Sequence, residues 1–150
     1  MMRTTTTLLT CLLLTACGGS PLSDGIYDVD LIAQGNTCSA EHVDMVAEWQ
    51  VETVGPGWDL TPVTDGGDFK TFHGDPGWNG GVEFKMEFMD REVGTGYDCV
   101  VTDTFTIAIN DQFDPAVLRG VFRYDWSVLC SDSSVDSCFS EWDVDGRLEQ

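Results

Sequence analysis

Apolar and polar residues alternate along most of this chain with a period of two. In residues 43–52 every odd position is apolar, and most even positions are acidic or amide. Residues 82–89 repeat the pattern, and their apolar face consists of Val82, Phe84, Met86 and Phe88. Successive side chains of a β-strand point to opposite faces of the sheet, so this spacing predicts half-buried strands rather than amphipathic helices.

Further alternating segments extend the pattern over the rest of the chain. They are residues 27–33, 101–109, 122–128 and 140–148, with weaker candidates at 58–64 and 68–73. Turn-forming clusters rich in Gly, Pro and Asp separate them. The sequence therefore predicts an all-β domain, an antiparallel meander of about eight strands with short connections.

Each predicted strand has one apolar face, and the sheet must cover that face. A single antiparallel sheet can do so by closing into a barrel, which also removes unpaired edges. We therefore expect a closed or nearly closed barrel, with a β-sandwich as the alternative.

The N-terminal segment has the composition of an export signal. Arg3 precedes a short leucine-rich run, which is shorter than the roughly 20 apolar residues of a transmembrane helix. Leu14-Thr15-Ala16-Cys17 follows. A positive start, an apolar run and small residues before a cut site describe a signal peptide. The last four of these residues resemble the lipobox of bacterial lipoproteins.

This resemblance implies that the Cys17 thiolate takes a diacylglycerol before cleavage. Residues 1–16 would then be the signal peptide, 17–24 the lipidated cysteine with a flexible tether, and 25–150 a single β domain. Two or three acyl chains would hold the domain to a membrane of the bacterial cell envelope. The residue after the cysteine is Gly18 rather than Asp, which resembles the outer-membrane sorting pattern of Gram-negative lipoproteins.

The charge of the chain excludes one class of partner. It has 7 basic and 26 acidic residues, and loss of Arg3 with the leader leaves 6 basic residues and a formal charge of about −20. Such a chain repels phosphate backbones, which excludes nucleic acid. It also repels anionic lipid headgroups, so we expect contact with the membrane through the lipid alone.

Four cysteines remain in the exported part, and an even number there predicts two disulfides. They are Cys38, Cys99, Cys130 and Cys138. A hairpin centred near Asp114 places Cys99 opposite Cys130, which favours Cys99–Cys130 with Cys38–Cys138. A final hairpin that places Trp126 opposite Trp142 also places Cys130 opposite Cys138. That hairpin gives the alternative, Cys130–Cys138 with Cys38–Cys99.

The predicted barrel is loosely similar to the lipocalins. Residues 24–27 lie where that family has a Gly-x-Trp motif on its first strand, with Tyr27 in place of the tryptophan. Arg147 on the last strand would be the partner that packs on the ring, although the alternation places it on the outer face. The resemblance concerns architecture and implies no ligand.

Asp103 and Trp78 are the candidate binding residues. Asp103 interrupts an inward apolar face, where an isolated carboxylate is costly; it marks either a pocket or, as we favour, a bulge or a rim position that reaches water. Trp58 and Trp78 each follow a Gly/Pro turn. Trp58 starts a predicted strand and is expected in the core. Trp78, followed by Gly80 and Gly81, is the candidate for stacking on a glycan or another protein.

Cofactor and enzyme motifs do not stand out. Acidic pairs such as Asp65 with Asp68, or Asp132 with Asp136, could hold calcium, but solvated charge is the favoured interpretation, and we expect no metal or cofactor. No Gly-x-Ser-x-Gly, His-Glu-x-x-His or phosphate-binding glycine loop occurs. An enzyme is therefore the least favoured class.

The sequence favours a non-catalytic structural or interaction barrel, anchored by lipid and filled by its own side chains. About eleven aromatic side chains are predicted to point inward, which suffices to fill a small barrel of eight strands. The alternative is a module that binds a small apolar ligand or a glycan. A measurable cavity would favour that alternative, and a packed interior would favour the filled barrel.

Overall fold

The computed structural model describes residues 22–63, 70–77, 80–110 and 114–149. The strands are β1 Gly25–Asn36, β2 Met45–Val54, β3 Gly57–Val63, β4 Phe72–Pro76, β5 Val82–Gly94, β6 Tyr97–Ile109, β7 Val117–Cys130 and β8 Val135–Leu148. Among these residues there is no helix long and apolar enough to span a membrane. The predicted all-β class is confirmed.

Each strand pairs antiparallel with the next one along the chain, and β8 returns to pair with β1. The eight strands therefore form one closed barrel in up-and-down order, as in the lipocalin-like arrangement, and not the two sheets of a sandwich. In the described part of the chain, closure leaves no edge strand on which another sheet could add.

The alternation of the sequence places the apolar residues inside the barrel. The largest fully buried side chains are Tyr27, Phe84, Leu22, Leu60, Ile107, Ile109, Leu118 and Val51. Most of them lie toward the end where β1 begins and β8 ends, which we call the closed end. The opposite end, where β1 ends and β2 begins, is called the open end.

The segment before β1 covers the closed end. Leu22 is 1% exposed and belongs to the core. The Ser23 N–H donates to the Pro115 carbonyl at 2.9 Å, and the Tyr27 hydroxyl lies 2.8 Å from the carbonyl oxygens of both residues. These contacts tie the start of the barrel to the turn that precedes β7.

The β6–β7 hairpin has the predicted register. Cys99 lies opposite Cys130, and Ile107 lies opposite Phe122. Both favoured disulfides, Cys99–Cys130 and Cys38–Cys138, are present, so the alternative pairing is wrong. Both bridges lie at the open end, where they join β6 to β7 and the end of β1 to the start of β8.

The β7–β8 hairpin differs from the register that would place Trp126 opposite Trp142. Trp142 lies opposite Phe122, and Trp126 lies opposite Cys138. The connection is tighter than that register assumed: the Asp132 carboxylate accepts hydrogen bonds from the N–H and the hydroxyl of Ser134. Because of this local turn, the partner of each β7 residue lies four positions earlier on β8 than in the expected register.

Strand β4 lies further along the chain than predicted. The segment 68–73 was expected, but Phe72–Pro76 is the strand; residues 64–69 lie outside the described part. Pro76 pairs with Val82 at the last position of the ladder, where a missing N–H is tolerated. The ring of Phe84 packs directly on Gly74, in the space that a Cβ would occupy. A glycine without a side chain gives no alternation signal, which explains the error.

Candidate ligand-binding cavity

An apolar cavity of about 510 Å³ lies inside the barrel, toward the open end. Its lining comes from β1 to β7 and is dominated by aromatic side chains and thioethers. These are Trp49, Phe72, Phe88, Phe105, Phe122, Met45 and Met86. The volume falls in the range of sites that hold small organic ligands, about 300–1,000 Å³.

The cavity exists because small residues alternate with large ones at this level of the barrel. On the inward face of β2, Ala47 lies between Met45 and Trp49, and its methyl group leaves space that a larger residue would fill. Pro62, opposite Trp49 on β3, contributes a short ring. Nearer the closed end, Val51 and Leu60 are both 0% exposed and leave no comparable room.

One wall of the cavity is a row of contacting rings from β5 to β7, and Trp142 of β8 continues the row outside the cavity lining. Phe105 and Phe122 are stacked at 6.4 Å between centroids, and Phe122 and Trp142 at 5.3 Å. Phe88 meets Phe105 edge-on at 6.1 Å. Rings held by one another lose little freedom when a ligand binds, so this wall is organised in advance.

Lys70 is the one charged residue in the lining. It lies between β3 and β4, is exposed to solvent, and holds its ammonium nitrogen 4.5 Å from the centroid of the Phe88 ring. An ammonium over an aromatic face is attracted by the ring quadrupole. The cavity therefore has an apolar interior and a positive charge in contact with solvent.

Asp103 lies two residues from Phe105 on the same face of β6, toward the open end. It is partly buried, pairs regularly with Phe88 and Trp126 without a bulge, and accepts a hydrogen bond from the Tyr124 hydroxyl at 2.6 Å. The pKa of Tyr124 is raised to about 12, mainly by burial and further by the hydrogen bond to Asp103 and the negative charge of Asp103. The carboxylate is thus partnered and does not line the cavity.

No protein family, curated protein or solved structure matches this chain.

Several residues singled out in the sequence lie outside the described part. They are Cys17, Trp78, Asp65 and Asp68. Of the others, Trp58 is 5% exposed and in the core, as predicted. Arg147 is exposed and lies opposite Asp28, so it does not pack on Tyr27, in agreement with the alternation.

The two histidines lie in different surroundings. His42 is half-buried and tilted against the ring of Trp142, with 4.5 Å between centroids. His73 is exposed and its Nδ1 lies 2.8 Å from a carboxylate oxygen of Asp59, a hydrogen bond that raises the pKa of His73. The barrel does not bring these histidines together with the cavity.

A second hollow, of about 740 Å³, lies on the outer face of β1, β2, β3 and β8. Charged and apolar residues contribute equally to its lining. Near it, the carboxylate oxygens of Asp28, Glu48 and Glu149 lie within 4.8 Å of one another, and all three residues are exposed. Asp132 and Asp136, the acidic pair weighed in the sequence as calcium ligands and interpreted as solvated charge, accept hydrogen bonds from the N–H groups of Ser134 and Ser137.

The alternation in the sequence predicts the inward direction of the aromatic wall but not the cavity. Residue type and face give no measure of the volume left between seven strands. Ala47 and Pro62 are the only local signals, because each is small at an inward position. Lys70 was not predicted, as it precedes a strand whose start was placed too early.

Proposed function

We propose that this protein is a non-catalytic binding module that holds a small apolar molecule inside its barrel. The observation that supports the proposal is the apolar cavity of about 510 Å³ at the open end. The sequence favoured a barrel filled by its own side chains. The inward aromatic residues fill the closed end but leave space between Ala47 and the wall of rings.

The proposed binding needs little rearrangement. Phe88, Phe105 and Phe122 are only partly buried, so solvent reaches the wall that a ligand would cover. Transfer of an apolar molecule from water onto this wall is favourable by roughly 25 cal/mol per Å² of apolar surface buried. Contacts between the rings already fix their orientation, which reduces the entropic cost of binding.

The test is binding of N-phenylnaphthylamine, an uncharged apolar dye that fluoresces when it leaves water. The wild-type protein, purified with its disulfides intact, should bind it. Ala47→Trp should weaken binding at least about tenfold, because the indole would occupy the space that an apolar ligand needs, a difference of about 1.4 kcal/mol. Met86→Trp fills the same cavity from β5 and should act alike.

Val46→Trp is the matched control. Val46 is adjacent to Ala47 but 83% exposed on the outer face, so the same indole should leave dye binding unchanged. Circular dichroism should show that all variants keep the barrel. Equal dye binding by wild type, Ala47→Trp and Met86→Trp would place the dye elsewhere and contradict the proposal.

We also propose that lipid on Cys17 attaches the domain to the bacterial cell envelope. The support is the sequence Leu14-Thr15-Ala16-Cys17 after a short apolar run. In bacteria grown with labelled palmitate, the wild-type protein should carry the label and fractionate with membranes, whereas Cys17→Ser should carry none. Ser20→Ala is the control and should be labelled normally. Labelled Cys17→Ser protein would contradict the site.

A second candidate function, docking of another envelope protein, is favoured by an apolar row on the outer face. Val100, Leu129 and Val135 lie opposite one another on β6, β7 and β8 and are 40%, 55% and 68% exposed. Exposed apolar patches are characteristic of interaction surfaces. A photo-crosslinker at position 129 should then give a discrete adduct in cells, and one at the exposed Glu83 should not.

A further inference from the structure

We infer that the ligand of this cavity is an amphiphile with an apolar body and one anionic group, and that the anionic group lies against Lys70. This inference rests on the proposed binding function and narrows it to a chemical class. The observation behind the inference is the position of a single cation, Lys70, in the lining of an otherwise apolar cavity.

The position of Lys70 differs from that of three other basic residues. Lys85, Arg91 and Arg123 each form an ion pair with a carboxylate on their own or a neighbouring strand. Lys70 forms no ion pair among the described residues, and its contact there is with the ring of Phe88. A lysine whose ammonium lies over an aromatic ring in the lining of a cavity can offer its charge to an anionic group of a ligand.

The geometry fits the two parts of an amphiphile. Ile107 and Trp49 are buried in the interior, where an apolar body would lie, whereas Lys70 is exposed at the boundary with solvent. An anionic group at Lys70 would keep contact with water, so the ligand would not have to bury an unpaired charge. A cationic ligand would be repelled there, and an uncharged one would leave the ammonium without an anion.

Asp103, an acidic residue near the aromatic wall, bears on where an anionic group could lie. Asp103 is on β6, outside the cavity lining, and its carboxylate accepts a hydrogen bond from Tyr124. It would disfavour an anionic group on the β6 side. The Lys70 side, between β3 and β4, is therefore the place for the anion.

The experiment compares dodecanoate with dodecanol, which share an apolar chain and differ in the charged group. Each displaces bound N-phenylnaphthylamine from the wild-type protein, at concentrations below those at which either one aggregates. We expect dodecanoate to bind about three- to tenfold more tightly, as is typical of a charge-assisted contact that solvent partly screens. Added salt should reduce this preference.

Lys70→Met keeps the length and apolar stem of the side chain but removes the charge. It should abolish the preference for dodecanoate and leave dodecanol affinity within about twofold, since the lost term is electrostatic. Lys70→Arg should keep the preference. The matched control is Lys85→Met, which changes the net charge equally at a lysine that is 56% exposed on the outer face and pairs with Glu87 at 3.6 Å.

The outcomes separate the two proposals. If the dye does not bind to the wild-type protein, the proposed binding function is wrong. If the dye does bind, Lys70→Met could still keep the preference for dodecanoate or lose affinity for both compounds equally. Either result overturns the inference about the anionic group and leaves the apolar binding function in place.

Discussion

At the scale of single residues, two tyrosine hydroxyls mark the two ends of the barrel. The Tyr27 hydroxyl reaches the carbonyl oxygens of Ser23 and Pro115 at the closed end, and the Tyr124 hydroxyl donates to Asp103 toward the open end. Burial raises the pKa of both tyrosines. Each hydroxyl therefore stabilises the fold only in its protonated form.

Tyr27→Phe should lower the free energy of unfolding by about 1–2 kcal/mol, because a buried hydrogen-bond donor is lost and carbonyl oxygens lose a partner. Urea denaturation followed by fluorescence measures the change. Tyr97→Phe is the control, because Tyr97 is 51% exposed, and it should change stability by less than about 0.5 kcal/mol. Equal effects of the two substitutions would show that the hydroxyl at the closed end contributes nothing.

The raised pKa of Tyr124 predicts loss of stability in alkali. The folded-state pKa is about 12 against 10.0 for the free side chain, so the folded state binds the proton more tightly than the unfolded state. Its contribution is complete below pH 10 and disappears between about pH 10 and pH 12. Urea titrations across this window should show a shallower decline for Tyr124→Phe than for the wild type. Parallel declines in the two proteins would show that Tyr124 is not the source of the alkaline loss of stability.

Asp103→Asn tests the origin of that pKa shift. Burial, the largest cause, remains in the variant, while the carboxylate that accepts the Tyr124 proton is gone. The pKa of Tyr124 should fall but stay above 10, as measured by ultraviolet titration against Tyr124→Phe. An unchanged pKa would mean that burial alone accounts for the shift.

At the scale of elements, the disulfides hold strands that hydrogen bonds already join. Cys38–Cys138 spans 100 residues and links the segment after β1 to β8, whereas Cys99–Cys130 spans 31 residues within one hairpin. Longer loops lose more entropy in the unfolded chain when they are bridged, in the loop-entropy account of disulfides. The two bridges should therefore contribute unequally.

Replacement of both cysteines of a bridge by serine should show this difference. The Cys38/Cys138 pair should cost about 4–5 kcal/mol and the Cys99/Cys130 pair about 3–4 kcal/mol on loop entropy, with both values reduced by any structure in the unfolded chain. Urea denaturation of the two double variants gives the order. A larger loss for the Cys99/Cys130 pair would show that local packing outweighs loop length.

The sequence predicted the elements with strong alternation and missed those without it. Strands β2 and β5 carry long runs of alternating residues and were placed well, as was the β6–β7 register. Strand β4 contains Gly74 and ends at Pro76, which give no alternation, and it was placed too early. The β7–β8 register depended on a turn made by Asp132 and Ser134, and strand periodicity carries no information about a side chain bonding within a turn.

The candidate site was less predictable than the fold. Periodicity assigns Phe105 and Phe122 to the interior but does not reveal the space that Ala47 leaves beside them. Volume depends on which side chains meet across the barrel, and that requires the register of every strand. The sequence identifies Asp103 as an exception to the apolar face, but the bulge offered as one explanation is absent, and its partner Tyr124 follows only from the β6–β7 pairing.

At the scale of the whole molecule, negative charge acts against the compact state. The formal net charge is −19, and carboxylates face one another across strands: Asp28 lies opposite Glu48, and Asp30 lies opposite Asp145. Like charges directly opposite in a sheet are destabilising, and salt screens exposed charges over about 3 Å at 1 M ionic strength. Salt should therefore stabilise this barrel.

Sodium chloride raised from low concentration to about 1 M should increase the melting temperature, because screening relieves this repulsion. Glu48→Gln removes one of the opposed carboxylates and should both raise the melting temperature at low salt and weaken its dependence on salt. Asp143→Asn is the control for loss of one charge, because Asp143 is exposed and lies opposite Ile32 and Val121 rather than another carboxylate. A melting temperature that falls with salt would show that ion pairs such as Arg123–Asp125 dominate.

The chain enters the barrel at its closed end, since Leu22 and Ser23 lie against that end. The cavity, by contrast, faces the opposite end. A lipid on Cys17 would hold the closed end toward the bilayer and direct the mouth of the cavity away from it. A ligand would then enter and leave the cavity from the aqueous side rather than directly from the leaflet that holds the lipid.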